Sequence, residues 1–156
     1  MSELSLIRTN SDNVDFRALV ALLDKDLAIR DGEESVFYAQ FNKVDAIKEV
    51  VVAYYGETPV ACGAIKPFAE HTAEVKRMFV CPDYRNRGIA AKVLNQLEQW
   101  ASAIGYTKCV LETGKKQPEA INLYQKAGFL ITPNYGQYIG VENSVCMEKR
   151  LSNNAS

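Results

Sequence analysis

Residues 80–90, with the sequence VCPDYRNRGIA, carry the chain from a strand into a helix through a short basic turn. Pro82 cannot donate to a β-ladder and should end the strand. After Gly88 the apolar residues recur at helical spacing, which predicts a helix that begins at or just before this glycine. The first N–H groups of a helix are unpaired, and the helix dipole adds positive potential at the same end.

Two features make this turn a candidate anion site. Gly88 has no side chain to hold a ligand away from the backbone, and Arg85 and Arg87 bring two permanent charges with forked donors. The turn is therefore predicted to bind an anion such as a pyrophosphate. A plain helix start with solvated arginines also explains the short pattern R-x-x-G-x-A. The sequence contains neither G-x-x-x-x-G-K-[ST] nor a G-x-G-x-x-G that follows a strand.

Outward from the turn, predicted strands alternate with predicted helices. Apolar and β-branched runs predict strands at residues 4–8, 50–55, 60–65, 73–80, 108–113 and 145–151. Capping residues Asn10, Ser11 and Asp12 precede a helix over residues 16–31. Further helices are predicted within residues 35–48 and over residues 88–104 and 118–127. This order predicts one α/β (α+β) domain over residues 1–151, with a mixed central sheet and a polar tail at 152–156.

The composition narrows the classes of function. Eighteen basic and nineteen acidic residues balance, so no nucleic-acid partner is expected. The apolar runs are too short to span a bilayer, so no membrane partner is expected, and the N-terminus lacks a secretion signal. We therefore expect a cytoplasmic protein. The four cysteines are widely spaced, which predicts buried reduced thiols and no metal site.

Three segments together resemble the GNAT N-acetyltransferase superfamily. They are EVKRMFV at residues 74–80, RNRGIA at residues 85–90 and AINLYQKAGF at residues 120–129. The resemblance implies a GNAT-like fold, with about six to seven strands flanked by about four helices. It also implies an N-acetyltransferase that uses acetyl-coenzyme A as co-substrate.

The resemblance assigns the co-substrate to three parts of the chain. The basic turn is implied to hold the pyrophosphate, and the preceding strand to offer backbone groups to the pantetheine arm and acetyl carbonyl. At the start of a later helix, Gln117 stands where the family often has asparagine, and Asn122 is a second candidate. The implied binding residues are thus Met78, Phe79, Val80, Arg85, Asn86, Arg87, Gly88, Ile89, Ala90, Gln117 and Asn122.

The resemblance also implies a catalytic acid. Tyr124 is expected to face the thioester sulfur and to donate a proton to the departing thiolate; packing in the core is the alternative role. Glu74 is the first candidate for the base that accepts the proton of the amine. Glu112 and His71 are the second and third candidates, and a water relay is a further alternative.

The acceptor is expected to be a small primary amine. Acidic residues after the first helix (Asp31, Glu33 and Glu34) and a tyrosine-rich turn (Tyr135, Gly136 and Tyr138) would suit a cation. A solvated acidic loop and an ordinary turn are the alternatives. Acetylation of a protein lysine or N-terminus, or a non-catalytic acyl-coenzyme A-binding module, are the competing functions. A homodimer through a sheet edge would agree with the family.

Overall fold

The computed structural model describes residues 3–31 and 46–151, and of residues 28–31 the backbone alone. Short 3₁₀ helices lie at Pro82–Tyr84 and Gly136–Tyr138. The helices and strands in the described part are β1 Leu4–Thr9, α1 Val14–Asp31, β2 Glu49–Tyr55, β3 Thr58–Ala69, β4 Thr72–Val80, α2 Ile89–Ala103, β5 Lys108–Gly114, α3 Pro118–Lys126, β6 Leu130–Thr132 and β7 Ser144–Arg150. None of these helices combines the length and apolarity needed to cross a bilayer.

The seven strands form one mixed sheet in the order β1-β2-β3-β4-β5-β7-β6. Neighbouring strands pair antiparallel except for β4 and β5, which run parallel. This parallel pair is short, because only Thr72, Ala73 and Glu74 find partners on β5. Beyond Glu74 the two strands part and leave a gap in the middle of the sheet.

Each face of the sheet is covered by helices. The helix α1 buries Phe16, Leu19, Val20 and Leu23 on one face, a spacing that forms a single helical stripe. The helix α2 buries a second stripe on the opposite face, joined there by Tyr124 of α3. Burying one such apolar side chain contributes about 1.5–3 kcal/mol. Both helical layers therefore pack against β4, and the layer that contains α2 also packs against β5.

The predicted fold class is confirmed, with corrections in detail. Three α-helices are described instead of about four, because the helix expected within residues 35–48 falls mainly on residues 32–45, outside the described residues. The first helix is capped by Asn13, whose Oδ1 accepts from the Phe16 N–H at 2.9 Å, and not by the residues named above. The helix α2 begins at Ile89, just after Gly88.

The cysteines agree with their expected role. All four are free thiols, three of them fully buried and Cys81 half-buried. Burial raises the pKa of Cys109 to about 12. A thiol with so high a pKa carries almost no thiolate at neutral pH and is chemically inert.

Gly63 of β3 lies where the sheet meets α2 most closely. A Cβ built on it would lie 2.5 Å from Met78 Sδ and 2.9 Å from both Leu97 Cδ1 and Val93 Cγ1. We expect Gly63→Ala to lower the free energy of unfolding by about 1–3 kcal/mol, because overpacking forces its neighbours to move. Urea denaturation measures this change.

Met78 provides the control for Gly63. In a Met78→Ala background the closest contact is gone, so the added methyl group should cost less than it does in the parent. Strictly additive losses in the double variant would show that the two side chains do not meet.

Candidate active site

A cavity of about 110 Å³ occupies the gap between β4 and β5. The first turn of α3 and the inner face of α1 close it from opposite sides. Because the strands part beyond Glu74, backbone groups of β4 on this side have no partner on β5. The lining residues are Leu23, Leu27, Val75, Lys76, Arg77, Met78, Glu112, Thr113, Gly114, Gln117, Ala120 and Tyr124.

A β-bulge in β4 shapes the wall of this cavity. The pairing with β3 shifts between Cys62 and Ala64, and Arg77 takes a left-handed φ of 61°. A positive φ is uncommon outside glycine and indicates that the surroundings force the backbone. The bulge re-aims the side chains of Arg77 and Met78, as bulges beside active sites often do.

The start of α2 lies just past the end of β4. Gly88 is the N-cap residue of α2, with a φ of 76°, and it has no side chain to cap the helix. The first hydrogen bond within the helix runs from the Lys92 N–H to the Gly88 carbonyl. The N–H groups of Ile89, Ala90 and Ala91 come before this bond and therefore have no acceptor within the helix. A Cβ at Gly88 would meet nothing within 4 Å, so the space outside the helix start is open. This geometry agrees with the predicted anion site.

The two arginines of the turn have different surroundings. Arg85 points back into the protein: its Nε donates to the Val80 carbonyl at 2.8 Å and its Nη2 lies 3.7 Å from Asp26 Oδ2. Its guanidinium also lies over the Phe79 ring. Arg87 is exposed and rests on the Tyr84 ring at 5.2 Å. Arg85 therefore shapes the turn, and Arg87 is the arginine more free to reach a ligand.

Tyr124 and Glu112 line the same cavity. Tyr124 is buried, with its ring packed edge-on against Phe129 at 5.8 Å between centroids. Burial raises the pKa of the Tyr124 hydroxyl above its ordinary value, and the negative charge of Glu112 raises it further. The hydroxyl therefore stays protonated at neutral pH and is available as a donor. Ser144 Oγ donates to Glu112 Oε2 at 2.7 Å.

Glu74 lies outside the cavity lining, deeper in the sheet. It is 4% exposed, and one carboxylate oxygen accepts from the Tyr135 hydroxyl at 2.7 Å. The Tyr138 hydroxyl lies 3.2 Å from Lys76 Nζ, which donates to it. The two tyrosines of the predicted turn thus contact charged side chains of β4.

The other predicted site residues are spread more widely. Gln117 lines the cavity at the N-cap of α3, whereas Asn122 is exposed on that helix and lies outside the lining. His71 is exposed in the β3–β4 turn, four residues before Val75, the first residue of β4 that lines the cavity. Four residues of a strand span about 13 Å. Of the acidic loop, Glu33 and Glu34 lie outside the described residues.

Lys76 and Arg77 are lining residues to which the sequence assigned no role. Burial lowers the pKa of Lys76, although the carboxylates of Glu74 and Glu112 act to raise it. Two adjacent cations between the apolar residues Val75 and Met78 of a predicted strand were the signal available in the sequence. Among the described residues, no three His, Cys, Asp or Glu side chains gather to hold a metal ion.

The sequence and the fold are similar to those of known proteins. An IAA acetyltransferase from Azospirillum brasilense is 41% identical over 102 residues, which cover 65% of this chain and 67% of that protein. A structure of a provisionally assigned acyl-CoA N-acyltransferase from Klebsiella pneumoniae matches with a TM-score of 0.79 at 25% identity, covering 96% and 98% of the two chains. PaiA N-acetyltransferase from Thermoplasma acidophilum, solved with coenzyme A, matches in fold with a TM-score of 0.73 at 17% identity, covering 95% and 99%.

The family pattern extends over most of the chain. The acetyltransferase (GNAT) family matches residues 16–129, from the first buried residue of α1 to the end of the third segment quoted above. This range contains β4, the basic turn, α2, β5 and α3, and it includes every residue that lines the cavity. The protein therefore belongs to the acetyltransferase (GNAT) family and is an N-acetyltransferase, as its three motifs predicted.

Proposed function

We propose that the protein transfers the acetyl group of acetyl-coenzyme A directly to the primary amine of a small molecule, with both substrates bound at once. The observation that carries this proposal is the cavity in the gap between β4 and β5, which both Tyr124 and Glu112 line. The coenzyme A in the Thermoplasma acidophilum neighbour supports the choice of donor. The four cysteines are free thiols, which supports a location in a reducing compartment such as the cytoplasm.

Two parts of the chain are suited to bind acetyl-coenzyme A, the acetyl donor. The open helix start at Gly88 offers N–H groups and the dipole of α2 to a pyrophosphate. The edge of β4 that faces the gap offers backbone groups, from Val75 towards Val80, to the pantetheine arm and the acetyl carbonyl. Backbone donors placed there would stabilise the negative charge that develops on the carbonyl oxygen.

The reaction requires two proton transfers. The amine nitrogen bonds to the thioester carbonyl carbon, the carbon–sulfur bond breaks, and the thiolate leaves. We assign to Glu112 the acceptance of the proton from the attacking amine, directly or through one water molecule. We assign to Tyr124 the donation of a proton to the leaving sulfur. Glu74, the first candidate in the sequence, is less well placed because it does not line the cavity.

The size of the cavity supports a small acceptor. A volume of about 110 Å³ is of the order that holds a ligand as large as benzene. Leu23 and Leu27 of α1 stand at its wall and favour an acceptor with an apolar portion. An extended peptide would need a longer groove than the described residues form.

Release of free coenzyme A from acetyl-coenzyme A, measured across a panel of primary amines and acetylatable peptides, tests the proposed function. We expect turnover with small amines and little with peptides. Turnover with peptides alone would assign the protein to the protein acetyltransferases. A rise in melting temperature with acetyl-coenzyme A, without turnover of any acceptor, would show a binding module.

A substitution at Arg87 tests the proposed binding site for acetyl-coenzyme A. We expect Arg87→Glu to weaken the binding of acetyl-coenzyme A by about tenfold, because it places a negative charge beside the open helix start. Calorimetry measures the affinity.

The matched control is Arg8→Glu, which reverses another exposed arginine that rests on an aromatic ring, Trp100, at 5.1 Å. Arg8 lies outside the cavity and the turn, so this variant should bind normally. Equal affinities in the two variants would place the pyrophosphate away from Arg87.

A further inference from the structure

Arg77 is a buried cation whose hydrogen-bonding capacity is only partly used. Its side chain is 2% exposed, and its Nη1 donates to Asp24 Oδ1 of α1 at 2.9 Å. Its Nη2 is fully buried and has no hydrogen-bond partner among the described residues. The chemistry in the Proposed function does not use this guanidinium.

The position of Arg77 is costly in two independent ways. Its left-handed φ of 61° is strained for a residue with a side chain. A charged donor buried without a partner also loses its hydration without compensation. Neither cost is needed for the ion pair, because Asp24 is 54% exposed and an arginine at the surface would reach it as well. Such costs persist at sites where a ligand supplies the missing partner.

The cavity is where such a partner would bind. Arg77 lines it together with Lys76 on the same strand and with Glu112 across the gap. The lining of the cavity therefore carries charges of both signs. A carboxylate on β5 suits a cationic amine, and a guanidinium on β4 suits an anion.

We propose that Arg77 binds a carboxylate of the acceptor, so that the acceptor is an amino acid carrying a primary amine and a carboxylate in one small molecule. This inference rests on the proposed function and narrows its substrate class. Guanidinium groups bind carboxylates with strong charge-assisted hydrogen bonds. Arg77 lines the cavity, and its Nη2 has no partner among the described residues. A lysine side chain within a protein carries no neighbouring carboxylate, so it would leave Arg77 Nη2 without a partner.

Matched pairs of acceptors test this proposal. The panel is leucine, methionine, phenylalanine, β-alanine and 4-aminobutanoate, each beside its own carboxamide, which has the same shape without the charge. We expect kcat/KM for at least one acid to exceed that for its carboxamide by about 10²-fold or more, because a buried donor rejects a ligand that leaves it unpaired. Equal rates for every acid and its carboxamide would overturn the proposal.

Arg77→Met separates a role in acceptor binding from other roles. Methionine fills similar space, and Asp24 is exposed enough to remain hydrated, so the variant should fold. We expect the ratio of kcat/KM between each preferred acid and its carboxamide to fall towards one, mainly through a higher KM for the acid. The increase in melting temperature with acetyl-coenzyme A should stay the same. An equal loss for acids and carboxamides, or a lost response to acetyl-coenzyme A, would show that Arg77 acts on the donor or the fold.

Two further measurements complete the test. Arg8→Met removes an exposed arginine elsewhere and should keep the preference for acids. If Arg77→Met does not fold, Arg77→Lys keeps the charge and the pair with Asp24 but loses Nη2, and it should also lose the preference.

Binding in the presence of coenzyme A distinguishes failure of this inference from failure of the proposed function. An acid of the panel that raises the melting temperature of the parent but not of the variant would support the carboxylate site even without turnover. Turnover of simple amines, with no effect of the carboxylate on rate or melting temperature, would leave the proposed function standing and remove this inference.

Discussion

Tyr124→Phe is expected to lower kcat for acetyl transfer by about 10²–10⁴-fold, the range typical of a lost general acid. The variant keeps the ring and its edge-on contact with Phe129, and it deletes only the hydroxyl in the cavity. Stability and the affinity for acetyl-coenzyme A should therefore change little. Steady-state kinetics with a good acceptor measure the loss.

The dependence on the leaving thiol makes this test specific. A donor whose thiol is more acidic needs less protonation as it leaves, so the loss caused by Tyr124→Phe should shrink with such a donor. Because burial raises the pKa of Tyr124, the hydroxyl loses its proton only above the ordinary tyrosine value of about 10. In the parent, Tyr124 should therefore cause no fall in kcat up to that pH.

Tyr106→Phe is the matched control for Tyr124. It removes a hydroxyl from a half-buried tyrosine that lies outside the cavity. This variant should turn over at the parent rate. A Tyr124→Phe enzyme that also reaches the parent rate, with chemistry rate-limiting, would make Tyr124 a packing residue.

Glu112→Gln is expected to lower kcat/KM at neutral pH by about 10²–10⁴-fold, because the attacking amine loses its proton acceptor. Glutamine keeps the length of the side chain and an oxygen to accept from Ser144. Raising the pH supplies more of the amine in its neutral form, so part of the lost rate should return at alkaline pH. A profile of rate against pH measures both effects.

Glu74→Gln is the competing variant, since the sequence placed Glu74 first among the candidate bases. Its carboxylate is occupied by the Tyr135 hydroxyl and lies outside the cavity lining, so we expect a loss of less than about tenfold. His71→Ala should have no effect, because the side chain is exposed in a distant turn. A larger loss of kcat/KM in Glu74→Gln than in Glu112→Gln would show that Glu74 is the base.

The elements of the fold were largely predictable because their signals are local. Alternation and 3.6-residue periodicity depend on neighbours a few positions apart, and they located six of the seven strands and the three described helices. The short β6 has no such signal in its three residues. The cap of α1 was misplaced by one to three residues, since several capping residues stand in a row and only the fold selects Asn13.

The site could be predicted only in part. An open helix start follows the basic turn, and Tyr124 lines the cavity. Their roles in binding and catalysis stay predictions. The order of the candidate bases was not decided by the sequence, because Glu74 and Glu112 both lie on strands beside the gap. Which of them lines the cavity depends on where β4 and β5 part, and that point is set by the pairing of residues far apart in the chain.

The sequence by itself determined the family, the class of reaction and the turn at Gly88, because each depends on residue types at short, constant spacing. Only the tertiary structure decided the positions of the two cations of β4, Lys76 and Arg77, and the direction of Arg85. Gly63 lets α2 approach the sheet, β4 bulges opposite it, and Arg77 turns into the protein beside the cavity. Such a shift in register arises from packing between distant segments, and no local pattern encodes it.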